Sequence, residues 1–404
     1  MAENSLGDHI TSGSVAFRKV GFSMVAAGFS TFALMNCVQP LMPLFSEEFG
    51  ISASEASLSL SLCIGALAIV MLFTSSISEA VGRKSVMTVS LVVSSLFMIM
   101  SAFASTWHGF LAYRALQGAI FSGVPAVAMA YMGEEIDPKQ SGYAIGLYVS
   151  GAAIGGMSGR VIAGFLADIA GWRQAMLGIG ILGLVSAVAF ICLLPPSRHF
   201  VRQSIRPRAL LAQYACHLQD PVQRLLYLQG FLLMGSLVSV YNYLGYRLLA
   251  PPFSLSHSVV GLLFTVYLVG ICSSVVAGNL ADRYGRPILL LLNVVITFLG
   301  LLLTLIDAIG ATIAGLVVFT TGFFGAHSVA SGWVGRRAEA AKAQASSLYL
   351  FCYYTGGAVL GWLGGIFWGR LGWPGLSAMI GVVLIVSFLI AIRLSILQTE
   401  RRRR

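Results

Sequence analysis

A chain of 404 residues that is 57% hydrophobic and only 10% charged, with a mean hydropathy of +0.85, is too apolar for a water-soluble globular fold, whose apolar share is roughly 45 to 50%. Its formal charge of +10 does not indicate a nucleic-acid partner, because the basic residues fall in short breaks between apolar runs rather than in a polar domain. The strict alternation of outer-membrane barrel strands over about 10 residues is also missing, so the chain reads as an all-α membrane protein whose segments satisfy their own backbone hydrogen bonds.

Residues 1–17 are polar and read as a cytoplasmic tail. The first apolar run, near 18–43, is too long for the core of a signal peptide and has no convincing cleavage site after it, so it is expected to stay as a first span. Further runs of about 20 residues, the length that crosses the hydrocarbon of a bilayer, follow near 56–77, 85–104, 108–132, 140–167 and 173–194. A polar connector at 195–221, with a surface helix expected near 208–218, leads to six more, near 222–249, 257–280, 287–306, 309–333, 343–369 and 374–394. Residues 395–404 form a basic tail. The expected architecture is twelve transmembrane helices in two six-helix bundles, 18–194 and 222–394.

An even number of spans puts both ends of the chain on one side. On that side fall Arg18, Lys19, Arg83, Lys84, Lys139, Arg198, Arg202, Arg206, Arg208, Arg224, Arg283, Arg286, Arg336, Arg337, Lys342, Arg393 and Arg401 to Arg404, against Arg173, Arg247 and Arg370 on the other. Basic loops stay in the cytoplasm, which predicts cytoplasmic termini. Arg114 and Arg160 lie inside spans. The six cysteines, Cys37, Cys63, Cys192, Cys216, Cys272 and Cys352, lack metal-ligand or disulfide spacing and read mainly as small core residues; no metal or cofactor is expected.

The second half repeats the first. At an offset of 201, Leu147-Tyr148 meets Leu348-Tyr349, Gly155-Gly156 meets Gly356-Gly357, Gly164 meets Gly365 and Gly171-Trp172 meets Gly372-Trp373. At an offset of 203, Glu79, Gly82 and Arg83 meet Asp282, Gly285 and Arg286. Two like halves suit a carrier that rocks one bundle against the other around a central site. A channel would need a filter or charged ring that is not evident, and no paired catalytic carboxylates, HExxH or GxSxG points to an enzyme.

The loop GNLADRYGRP, Gly278 to Pro287, resembles the loop signature of the major facilitator superfamily. Its first copy, SSISEAVGRKS, keeps the charges as Glu79, Arg83 and Lys84 around Gly82, although Ser75 replaces a glycine. The resemblance implies a cytoplasmic gate built from Glu79, Gly82, Arg83, Lys84, Asp282, Gly285 and Arg286, whose acids sit against an arginine or a helix N-terminus in one conformation and are released in the other. Arg114, Gln117 and Gly118 in LAYRALQGAIFSG match the superfamily's fourth-helix pattern. The i, i+3 spacing puts Arg114 and Gln117 on one face, expected toward protein or water, unless Arg114 snorkels to the interface. GGMSGRVIAGFLAD, residues 155 to 168, resembles the fifth-helix signature of the twelve-span drug:H⁺ antiporters, with Arg160 where that signature has proline. Gly155, Gly159 and Gly164, with Gly356 and Gly365 in the second half, provide close helix packing. The resemblance implies a bacterial inner-membrane efflux protein.

By helical rise Arg114 and Arg160 lie about 9 and 12 Å below the outer boundary. No Asp or Glu falls near the middle of a span, and arginine does not release a proton. The cavity is therefore expected to be electropositive and to take anionic or polar neutral solutes; the competing reading has Arg160 neutralised by Glu47, Glu48 or a helix C-terminus. His327 is the one mid-membrane group that titrates near neutral pH; it either carries the coupled proton or only bonds across helices. Asp168 at the outer end is a second proton candidate. Asn36, Gln39, Asn242 and Tyr246 complete the cavity candidates, with helix-helix bonding as the other role for the amides. The functional expectation is a monomeric secondary transporter exporting a small organic solute in exchange for protons. The alternative is a uniporter or H⁺ symporter importing an organic anion or sugar.

Overall fold

In this computed structural model the described residues are 9–11, 13–200, 202 and 207–403. Arg206 and Arg404, and the side chains of Arg208 and of Arg401 to Arg403, lie outside the described set. The first span consists of α1 (Val15–Asn36), a 3-10 turn at Gln39–Leu41 and α2 (Met42–Phe49). Pro40 and Pro43 lack the N–H that would continue the ladder, so the helix breaks here before resuming. α3 (Ala53–Val81), α4 (Arg83–Ala102), α5 (Trp107–Phe121) with α6 (Pro125–Glu135), α7 (Ser141–Ala170) and α8 (Trp172–Leu193) complete the first bundle.

The connector carries α9 (Pro207–Gln219), close to the expected surface helix, and Tyr214 on it donates to the Leu72 carbonyl of α3 at 2.8 Å. The second bundle runs through α10 (Pro221–Leu249), α11 (His257–Leu263) with α12 (Tyr267–Tyr284), α13 (Arg286–Leu303), α14 (Ile309–Arg337) and α15 (Lys342–Arg403). Among the described residues, eleven segments are long and apolar enough to span a membrane. The last is two spans, because Gly372 leaves the helical region at φ 60° and ψ −148°. The described residues thus hold twelve spans.

Side-chain caps start the spans: Ser14 for α1, Ser52 with Glu55 as a capping box for α3, Thr106 for α5, Asp220 for α10 and Ser256 for α11. The two gate loops shrink to single residues, Gly82 (φ 117°) and Gly285 (φ 95°), a backbone region that side chains disfavour. Large apolar side chains such as Phe22, Ile69, Val185, Val275 and Val382 stay exposed on the outside of the bundles, as lipid-facing positions require. Of the cysteines, Cys37 and Cys63 are buried as expected, but Cys192, Cys216 and Cys272 are exposed: the apolar span of Cys192 and that of Cys272 turn these thiols outward.

The bundles meet in a repeated way near the face opposite the chain ends. Gly164 of α7 lets the backbone of α11 approach, and a Cβ there would lie 2.5 Å from the His257 carbonyl oxygen. Gly365 of α15 does the same for the backbone of Ser54 in α3, and Ser54 donates to the Trp362 carbonyl at 3.1 Å. Within each bundle Gly155 faces the Phe29 backbone and Gly356 the Phe231 backbone.

Candidate substrate cavity

Between the bundles lies a cavity of about 390 Å³ lined from both halves. Asn36, Gln39 and Arg160 form its polar corner. Arg160 is 4% exposed. Its Nε donates to Gln39 Oε1 at 2.6 Å, Nη1 to the Gly156 carbonyl at 2.7 Å and Nη2 to Asn36 Oδ1 at 2.9 Å. The guanidinium carbon lies 4.8 Å from the ring centroids of both Phe264 and Tyr267. No acidic side chain pairs with it among the described residues; Glu48 instead pairs with Arg173 at 2.9 Å. An unneutralised charge at this depth costs several kcal/mol against water, offset here by amide acceptors and ring faces. It is the fixed positive centre of the cavity.

Gln39 passes the network across the seam, donating from Nε2 to Asn242 Oδ1 at 2.8 Å. Asn242 is fully buried and lies behind Gln39 rather than on the wall. Tyr246 is also off the wall: its hydroxyl bonds Ser46 Oγ at 2.6 Å and the Met42 carbonyl at 2.9 Å, joining α10 to α2. Both amide and phenol serve the contact between bundles, because α10 packs directly on the broken first span.

Arg114 and Gln117 do not line the cavity. Arg114 is fully buried inside the first bundle, donating to the carbonyls of Ser59 (2.8 Å), Met35 (2.8 Å) and Leu34 (3.2 Å) and to Gln117 Oε1. Gln117 donates to the Ser94 carbonyl at 2.8 Å. The proline break in the first span exposes the last carbonyls of α1, and Arg114 caps them where the helix dipole is negative. It is a clamp on the fold, neither snorkelling nor facing solute.

The other bundle contributes His327, whose Nδ1 lies 2.9 Å from the Tyr349 hydroxyl and whose ring is 4.4 Å from that of Tyr353. Around it are Tyr267, Phe324, Tyr353 and Tyr354, with Tyr148 from the first bundle. This aromatic wall was not singled out in the sequence. Its one available signal was the repeat, which aligns Tyr148 on the wall with Tyr349 behind His327.

Asp168 lies outside the cavity at the far seam. Its carboxylate accepts from the backbone N–H groups of His257 (3.0 Å) and Ser258 (2.7 Å) and from the Ser258 hydroxyl, holding α7 to the start of α11 across the bundles. The opposite side of the cavity is open. The wall residues Val149, Ala153, Gly156 and Arg160 form one helical stripe of α7, and it continues toward the chain ends through Gly146 and Gly142, where a Cβ would meet nothing within 4 Å.

The gate residues stay within their own halves there. Arg83 pairs with Glu134 at 2.6 Å and lies 3.9 Å from Glu79, while Lys84 donates to the carbonyls of Ile191 and Leu194. Asp282 pairs with Arg286 and Arg336, each at 2.8 Å. The acids thus sit against arginines in this conformation.

A twelve-span pair of bundles around one cavity, sealed at one face and open at the other, is the build of a membrane transporter. The sequence pattern described as Major Facilitator Superfamily matches residues 24–250 and 225–404, and the chain belongs to that family. It is 46% identical over 379 residues to the Bacillus subtilis (strain 168) protein named uncharacterized MFS-type transporter YybF, covering 94% of each. It is also 46% identical over 385 residues to the Escherichia coli (strain K12) inner membrane transport protein YnfM, covering 95% of this chain and 92% of the relative. Among solved structures, a peptide transporter POT in complex with sulfate superposes with a TM-score of 0.77 at 12% identity, over 95% of this chain and 94% of that one. A bacterial homolog of the human lysosomal transporter Spinster, in an inward-facing and unoccupied conformation, gives 0.74 at 14%, over 95% and 96%. These two likenesses concern the fold.

Proposed function

We propose that the chain exports a small anionic or polar neutral organic solute in exchange for protons. It works as a monomer in the bacterial inner membrane with both termini in the cytoplasm. The excess of Lys and Arg on the open face supports that orientation, and the cavity described here then faces the cytoplasm. The observation that carries the cargo reading is Arg160, a buried cation on the cavity wall with amide and carbonyl partners and, among the described residues, no carboxylate. A lipophilic cation would be repelled there. Rocking about the glycine contacts Gly164 and Gly365 supplies alternating access.

Two groups suit the proton. His327 lies on the wall beside Tyr353, where cargo and proton compete for one space, and Asp168 lies at the seal that must open for release. Among the described residues no acidic side chain lines the cavity, which also favours a second reading, a uniporter or H⁺ symporter importing an organic anion or sugar.

Proteoliposomes with an imposed ΔpH separate these readings. Arg160→Ala is expected to depress transport of anions on the order of 100-fold and of cations far less, from the loss of charge-assisted bonds of roughly 1.5 to 3 kcal/mol each. His327→Ala is expected to keep cargo binding and lose proton-driven accumulation. Unchanged anion transport in folded Arg160→Ala sinks the cargo reading, and uptake along the proton gradient would reverse the direction.

A further inference from the structure

Arg160 is more specific than a positive charge. A guanidinium carries five N–H donors in a fixed plane. Three are engaged by Gln39, Gly156 and Asn36, one from each nitrogen. Nη1 and Nη2 therefore each keep one N–H, and the two together fit the two oxygens of one carboxylate. Gly156 keeps that side open: a Cβ there would lie 3.5 Å from Nη1 and 3.8 Å from the Asn36 amide nitrogen.

The remaining wall favours a particular body behind the anion. Tyr267, Phe324, Tyr353 and Tyr354 present rings, with His327 between them, and Ile64, Met234 and Val238 close the floor. Planar apolar groups stack on such rings at centroid spacings of about 4.5 to 7 Å. A second anionic group would find no second fixed cation among the described residues, where Arg160 is the one Lys or Arg on this wall.

We propose that the cargo is a monocarboxylate borne on an aromatic or similarly flat apolar body, its carboxylate held by Nη1 and Nη2 of Arg160 and its body against the Tyr353 and Tyr354 side. This rests on the anionic-cargo reading above and narrows it. The narrowing is a statement about equilibrium binding, so it does not depend on direction or coupling.

The test uses the purified full-length chain in detergent at neutral pH without any gradient. Binding is measured by calorimetry and by the rise in unfolding midpoint for benzoate, benzamide, acetate and phthalate. Benzoate is expected to bind, with benzamide and acetate each at least about 10-fold weaker and phthalate no tighter than benzoate. Arg160→Lys keeps the charge but loses the two-pronged geometry, and is expected to weaken benzoate about 10-fold or more. Gly156→Val covers Nη1 while leaving the arginine in place, with the same expectation.

Benzamide equal to benzoate, or Arg160→Lys without effect, overturns the proposal. Should acetate or phthalate bind through Arg160 better than benzoate, the monocarboxylate on a flat body is wrong while the anionic reading stands. If no anion binds and neutral or cationic solutes do, both fall. The wild-type ranking decides even where a variant fails to fold.

Discussion

The fifth span and the eleventh are copies of one helix put to different uses. Both approach a neighbour backbone through glycine, Gly155 against Phe29 and Gly356 against Phe231, and both reach across the seam with a second one, Gly164 to His257 and Gly365 to Ser54. Yet the residue aligned with Arg160 at the repeat offset is Gly361, and the one aligned with Asp168 is Gly369. The close glycine contact is duplicated and the charge is not. A rocking carrier needs matched pivots, because each bundle must roll on the other through the same arc. The anionic cargo proposed for Arg160 would need only one cation, and a second would add a second desolvation cost of several kcal/mol.

The strongest challenge to the pivot half of this comparison is bulk at the seam. Gly164→Leu and Gly365→Leu should each destabilise the sealed face by about 1 to 3 kcal/mol, the usual cost of overpacking. Maleimide labelling of a cysteine placed at Ser46, in a chain stripped of its native cysteines, should then accelerate about 10-fold or more for both. A large effect from one glycine alone would break the symmetry.

Asp168→Asn tests the unmatched charge. It keeps an acceptor oxygen but loses the anion that holds the backbone N–H groups of His257 and Ser258. The expected cost is about 1 kcal/mol, several-fold in the same labelling rate, with no counterpart at Gly369. No change would reduce Asp168 to a surface contact.

The smallest effect is expected at Asp220, which caps α10 and pairs with Arg337 at 2.7 Å, as Ser14 caps α1 without any ion pair. Burial raises the Asp220 carboxyl, but hydrogen bonds from Arg337 and the Val222 N–H outweigh it and leave it below its ordinary range. A depressed folded-state value stabilises above the unfolded value and loses that contribution as pH falls through the folded one. Asp220→Asn retains the cap and should flatten the acid limb of the unfolding curve by less than about 1 kcal/mol. A larger loss at neutral pH would mean that the ion pair, not the cap, holds the start of α10.

Hydropathy, the glycine repeat and the charge asymmetry, all local properties of the chain, were enough to determine twelve helices in two matched bundles, because a segment in lipid must satisfy its own backbone. They also marked Asn36, Gln39, Arg160 and His327, polar groups whose burial cost makes them conspicuous in apolar runs. Which way a buried polar group points was decided only in three dimensions. Arg114 looks like Arg160 in sequence, but the proline break in the first span gives it carbonyls to cap, while Arg160 reaches amides 121 and 124 residues away on the cavity wall. The same holds for Asn242 and Tyr246, drawn into the seam, and for the tyrosine wall. Facing depends on partners from distant segments, and no local pattern encodes that pairing.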